Sequence, residues 1–235
     1  MSTPAVLMEG GVYLNYYFGG SFEETPISDF LENTPEAMLD AKIKGMNMKI
    51  GVAVSQDGIS WGRVEGDDPS GACVVPYDRK NPNNEEQRKN LDEELYCGWP
   101  EVVVTPSNQE RAFSMFYSTM LKENKQKCIS YATSQDGFRW VKEGVCLTPD
   151  ESGLDAGGCA RCTVLRDAEW DGSNWKELST WTMYYEGVSK DDNKHRVMMA
   201  KSRDGKTWEK AGLVFDVGSA DSWDSEGVGS PSVIR

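Results

Sequence analysis

Apolar and polar residues alternate along this chain in short runs, and one succession of runs returns. The sharpest signal is Ala53-Val-Ser-Gln-Asp-Gly-Ile-Ser-Trp61. It recurs as Ala132-Thr-Ser-Gln-Asp-Gly-Phe-Arg-Trp140 and as Ala200-Lys-Ser-Arg-Asp-Gly-Lys-Thr-Trp208. Each copy follows an apolar or alternating stretch and precedes a short run ending at Gly66, Gly144 or Gly212. Asp-Gly between two such runs marks a β-hairpin, because the turn needs residues that tolerate positive φ. An aromatic strand is expected upstream of each hairpin, at 13–18, 113–118 and 181–186, and a shorter one before that, at 3–7, 99–103 and 161–165.

The repeating unit is therefore a four-stranded antiparallel meander, and such units repeated radially are the blades of a β-propeller. The expected fold is all-β, a single propeller domain over 1–235 with blades at about 3–75, 98–149 and 159–217 and the first strand of a fourth at 229–235, within Ser230 to Ile234. Three blades and one strand leave open sheet edges, which natural proteins avoid. The expectation is a partial chain, or a protein partner covering the edge. Insertions at 19–47 and 77–96 break the period. In the first, Thr34 as N-cap, Pro35 at the first helical position and Gly45 as stop predict a short helix; in the second, a helix is expected around 85–95. Both insertions belong at the end where the innermost strands begin, opposite the Asp-Gly turns.

Composition narrows the function. With 25 Lys+Arg against 38 Asp+Glu, the net charge is −13, which repels phosphate backbones and anionic lipid. No nucleic-acid partner is expected. No apolar run approaches the ~20 residues that span a bilayer, and no signal peptide is visible, so neither membrane insertion nor secretion is expected. Reduced thiols in an intracellular or organellar compartment are favoured for the six cysteines. Cys128 and Cys146 face each other across one hairpin, where a bridge could form. Cys159-Ala-Arg-Cys162 is a lone C-x-x-C whose thiols strand alternation would point in opposite directions. No metal or cofactor is expected. His195 is the one histidine, read as lying in an exposed loop, which argues against a Ser-His-Asp triad.

The Ser-x-Asp-Gly-x-x-Trp hairpins at Ser55, Ser134 and Ser202, the Met183-Tyr-Tyr-Glu-Gly187 strand and Ser230-Pro-Ser-Val233 together resemble the five-bladed β-propeller glycoside hydrolases of the family 43 and family 32 type. The resemblance implies a carbohydrate ligand in a central funnel, with three carboxylates at the starts of innermost strands: a base or nucleophile, an acid, and a group tuning the acid. The corresponding positions here are Thr3, Trp99, Arg161 and Ser230, none of them acidic. Acids do recur in the loops leading into those strands. Glu93, Asp155 and Asp224 stand at one offset before Val102, Val164 and Val233, either tightening the loop through backbone amides or lining the funnel. Asp155, Glu101 and Asp224 are thus the catalytic candidates, and Trp99, Arg161, Glu93 and Glu226 the candidates for binding substrate. Trp99 could stack on a sugar or simply pack. Arg161 could meet an acidic ligand group, or pair with Asp155 or Glu101. The implied function is hydrolysis or binding of glycosides; the alternative is a non-catalytic scaffold that docks a protein.

Overall fold

The computed structural model describes residues 6–8, 11–31, 33–80, 91–105 and 112–234. The first sheet begins with β1 (Val6–Met8) and β2 (Val12–Gly20), after which a small ribbon intervenes, β3 (Glu24–Pro26) with β4 (Lys42–Lys44). The sheet resumes with β5 (Met48–Ser55) and β6 (Gly62–Val64). The second contains β7 (Gly98–Val104), β8 (Phe113–Met120), β9 (Lys127–Ser134) and β10 (Val141–Leu147). The third contains β11 (Gly158–Trp170), β12 (Trp175–Val188), β13 (His195–Ser202) and β14 (Trp208–Phe215). Each sheet pairs its strands in chain order, all antiparallel. These are β-propeller blades, and no helix among the described residues is long and apolar enough to cross a membrane.

The Asp-Gly hairpins are built alike. Ser134 Oγ donates to Asp136 Oδ1 (3.0 Å) and accepts from Gly137 N (2.9 Å), while the same carboxylate oxygen accepts from Phe138 N and Arg139 N. The Ser55-Asp57 and Ser202-Asp204 hairpins repeat these bonds. The glycine takes φ 73, 81 and 71° at Gly58, Gly137 and Gly205, the left-handed region that favours a residue without Cβ. The tryptophans closing the second and third hairpins then reach back to the preceding blade. Trp140 sits edge-on to Tyr16 at 5.6 Å, and Trp208 edge-on to Phe116 at 5.7 Å. Tyr16 Oη adds a hydrogen bond to the Gly137 carbonyl. One apolar layer thus joins blades one and two, and another joins two and three.

Several expectations need correction. The helix over 34–45 is replaced by a 3₁₀ turn (Glu36–Met38) followed by β4, with no side-chain cap at its start. Pairing of Lys42–Lys44 with Glu24–Pro26 overrides local propensity. Residues 85–90 of the second expected helix lie outside the described segments, and 91–95 are irregular, anchored by an isolated bridge between Glu94 and Leu121. Residues 3–5 of the first expected strand are likewise outside. Ser230 to Ile234 forms no strand; its segment lies against blade three, where Val228 N donates to His195 O. All six thiols are free, Cys128 and Cys146 included. Cys159 and Cys162 share one apolar cluster rather than opposing faces, because a bulge between them inserts a residue and shifts the alternation.

The packing of the hairpin tryptophans sets a testable order of stabilities. Trp140 and Trp208 are 7% and 9% exposed, Trp61 37%. Replacing either buried indole with Ala is expected to cost about 3–5 kcal/mol in urea unfolding, and Trp61→Ala clearly less; equal losses at all three positions would contradict the interblade role.

Candidate functional site

The innermost strands enter the centre of the propeller through an unusual backbone. Trp99, Arg161 and Ser230, the head residues of successive blades, all have positive φ, at 50, 44 and 52°. Two of them precede proline, which ordinarily favours extended conformations. In β7 the register shifts between Gly98 and Glu101, and in β11 between Ala160 and Thr163, so each strand carries one residue more than its partner. Non-glycine residues hold such conformations only where surrounding contacts over-determine them, and they cluster at functional sites.

The over-determining contacts come from one register position in the second strand of the preceding blade. Phe18, Ser118 and Glu186 occupy it, opposite Ile50, Ile129 and Val197. Phe18 packs on Trp99 with ring centroids 4.8 Å apart. Ser118 Oγ accepts from Arg161 N at 2.7 Å, and Glu186 Oε2 accepts from Ser230 N at 2.8 Å. Each blade therefore fixes the head of the next.

Around these heads the side chains converge. Arg161 Nη1 donates to both Glu186 oxygens, at 2.8 and 3.1 Å, and its guanidinium lies 4.9 Å from the Trp99 ring centroid. Neither Asp155 nor Glu101 is its partner. His195 opens β13 instead of lying in the loop, because a turn closed by Ser189 and Lys194 ends just before it. Its Nδ1 meets Glu186 Oε1 at 2.7 Å. Trp99 is enclosed by Phe18, by Tyr96 edge-on at 6.2 Å and by Arg161, an arrangement that supports the arginine and leaves little free ring face. Glu101, two residues inward on β7, accepts from Thr163 Oγ1 (3.0 Å) and Val164 N (3.4 Å) of the neighbouring innermost strand. Burial pushes its carboxyl up to about 7, partly offset by those two donors.

The loop acids behave differently. Asp155 is buried; it accepts from Tyr185 Oη (2.8 Å) and forms an ion pair with Lys210 Nζ (2.6 Å), and Cys159 lies beside it. Burial alone would raise its carboxyl, but Lys210 and Tyr185 hold it below the usual range. The counterpart in blade two is Glu94, not Glu93: it binds Lys142, Tyr117 and Cys97 in the same way. Lys142 and Lys210 hold one register position, opposite Ala132 and Ala200. These are anchors tying the loop leading into each blade to that blade's outermost strand. Glu93 accepts from Arg79 N, Asp224 from Ser222 Oγ, and Glu226 is exposed with Lys194 at 3.8 Å. The structure thus gathers Trp99, Arg161 and Glu101 on neighbouring innermost strands and places Glu93, Asp155, Asp224 and Glu226 in the loops. Glu186, His195 and Ser118 were missed as site residues. The signal for Glu186 was its being the one acid in the series Phe18, Ser118, Glu186.

No family model matches the chain. Two curated Mycobacterium tuberculosis proteins, both described as uncharacterised, are 33% identical to it over 192 residues, or 79% of this chain and 52% of theirs. The chain spans about half the length of these relatives. Among solved structures, a family 117 glycoside hydrolase from the marine bacterium Zobellia galactanivorans has a TM-score of 0.60 at 14% identity, covering 90% of this chain and 54% of that one. A family 32 β-fructofuranosidase from Bombyx mori has a TM-score of 0.50 at 14% identity, over 88% of this chain and 35% of that one. The fold is therefore similar to that of β-propeller glycoside hydrolases.

Two stability measurements separate the groups. Glu94→Gln leaves the buried Lys142 without its carboxylate and is expected to lower stability by about 3–5 kcal/mol, whereas after Asp155→Asn Lys210 keeps Asp150 at 2.9 Å and the loss is expected to be smaller; a loss under about 1 kcal/mol for Glu94→Gln would remove the anchor role. Glu101 has the opposite sign. With its folded value near 7, above the ordinary 4.5, its neutral form is favoured, so the stability it contributes below about pH 4.5 is lost as pH rises through 7. Over that window the wild type is expected to lose up to about 3 kcal/mol relative to Glu101→Gln, read from urea midpoints at a series of pH values. Parallel curves would refute the raised carboxyl.

Proposed function

We propose that this chain belongs to a carbohydrate-active β-propeller that binds or hydrolyses glycosides where the heads of the innermost strands converge, and that it is part of a five-bladed ring. One observation carries the reading: three successive heads are held left-handed, each by the preceding blade, and two of them place Trp99 and Arg161 beside one another. The similarity in fold to glycoside hydrolases supports the substrate class. Glu101 is the acid best suited to protonate a leaving group at neutral pH, because burial keeps its proton on up to about pH 7. Glu186 is less suited to attack or to activate water, since its oxygens already accept from Arg161, Ser230 and His195. A non-catalytic scaffold remains the second reading, favoured by Trp99, Arg161 and Ser230 standing where the resemblance calls for acids.

The test is a glycan array and a panel of aryl glycosides on the full chain. If hydrolysis occurs, Glu101→Gln should slow it by about 10²–10⁴-fold with binding retained, and the wild-type rate should fall as pH rises past about 7, where this acid loses its proton. Blank results in both assays, together with a stoichiometric protein partner released by mutating Arg161, would establish the scaffold instead.

A further inference from the structure

We infer that the ligand bound where the strand heads converge carries a carboxylate, making it a sugar acid of the uronate class, and that Arg161 reads that group. The inference rests on the carbohydrate reading above and narrows it. Arg161 uses only Nη1 on the protein, donating to Glu186. Its Nε and Nη2 have no hydrogen-bond acceptor among the described residues, although only 35% of the side chain is exposed. A guanidinium presents its donors in one rigid plane, and two parallel N–H groups on one edge match the two oxygens of a carboxylate. The residue is held at three points: the backbone amide by Ser118 Oγ, Nη1 by Glu186, one face of the guanidinium by Trp99. What is left over is an edge with no acceptor among the described residues, open to solvent.

The fold does not require a cation there. At the matching heads stand Trp99 and Ser230, with the same left-handed backbone and no charge. The free edge is not buried: Nε and Nη2 face open space, where an incoming group can reach them. Glu186, 2% exposed, divides its two oxygens among Arg161, His195 Nδ1 and Ser230 N. A neutral polyol would leave the free edge to weak hydroxyl acceptors; one carboxylate satisfies both donors. The overall charge of −13 repels long polyanions, so the fit is to one compact acidic unit.

Calorimetry on the full chain with sugars matched except at C6 tests this directly: glucose with glucuronate, galactose with galacturonate, mannose with mannuronate, each as methyl glycosides, with acetate and a 6-sulfated sugar as controls. The acid member of at least one pair should bind tenfold or more tighter, and its affinity should fall with added salt while its neutral partner's does not. Arg161→Met, which removes the guanidinium and keeps an unbranched apolar chain, should erase the preference, and Arg161→Lys should retain only part of it, since an ammonium lacks the fork. The salt response of the wild type stands even if Arg161→Met fails to fold. Equal or tighter binding of the neutral members overturns the inference and leaves the carbohydrate reading intact. Binding of neither member overturns both. A preference that survives in Arg161→Met, tighter binding of the sulfated sugar, or acetate binding as well as the uronates, each overturns the assignment to Arg161 and a sugar carboxylate.

Discussion

Where β7 and β11 turn into the centre of the propeller, each admits one residue more than its partner strand, and the backbone at that point goes left-handed. Such a conformation costs on the order of 1–3 kcal/mol for a residue with a Cβ. It is held by the side chain one blade earlier, Phe18, Ser118 or Glu186. The same feature sets the geometry between blades, the alternation of the cysteines on β11, and the display of Trp99 and Arg161. Neighbouring blades are therefore coupled at their inner ends by specific polar or aromatic contacts, and at their outer hairpins by Trp140 and Trp208.

Charge follows a division of labour. At the loops leading into blades two and three, a buried acid meets a lysine of the same blade's outermost strand and a tyrosine, as in Glu94–Lys142–Tyr117 and Asp155–Lys210–Tyr185. Such pairs contribute little net stability, yet losing one partner is severe. Their effect is to fix how each loop enters its blade. In the centre, by contrast, partly exposed basic groups surround one buried carboxylate, Glu186. Arg161 and His195 share one carboxylate, and Glu101 is held near neutrality by burial.

Local signals made most of the fold legible. Asp-Gly with its flanking Ser and Trp is a self-contained turn, so three hairpins and the aromatic strands before them could be read directly. The innermost strands could be located, but not the bulge inside them, because nothing in Trp99-Pro100 or Arg161-Cys162 announces positive φ. That one hidden residue explains the reversed expectation for Cys159 and Cys162. The loop acids were displaced for a related reason: the loop before β7 is one residue shorter than that before β11, so counting back from the valines reached Glu93 when the anchor is Glu94. The expected helix at 34–45 lost to a pairing with Glu24–Pro26 that only the folded chain brings into reach. Arg161 was recognisable as an awkward guest from its position alone, but its partner Glu186 lies in another strand and could not be inferred from spacing.

The left-handed heads also bear on how such a protein can change. The backbone at each head is set by the bulge and by its neighbour in the preceding blade, and indole, guanidinium and hydroxymethyl all occupy it with φ within a narrow range, 44 to 52°. At Arg161 and Ser230 the preceding contact grips the backbone amide, while at Trp99 it grips the ring itself. A propeller of this kind can exchange the chemistry shown at its centre one blade at a time where the preceding blade grips only the backbone, as at Arg161 and Ser230, whereas a change at Trp99 also alters the packing between blades.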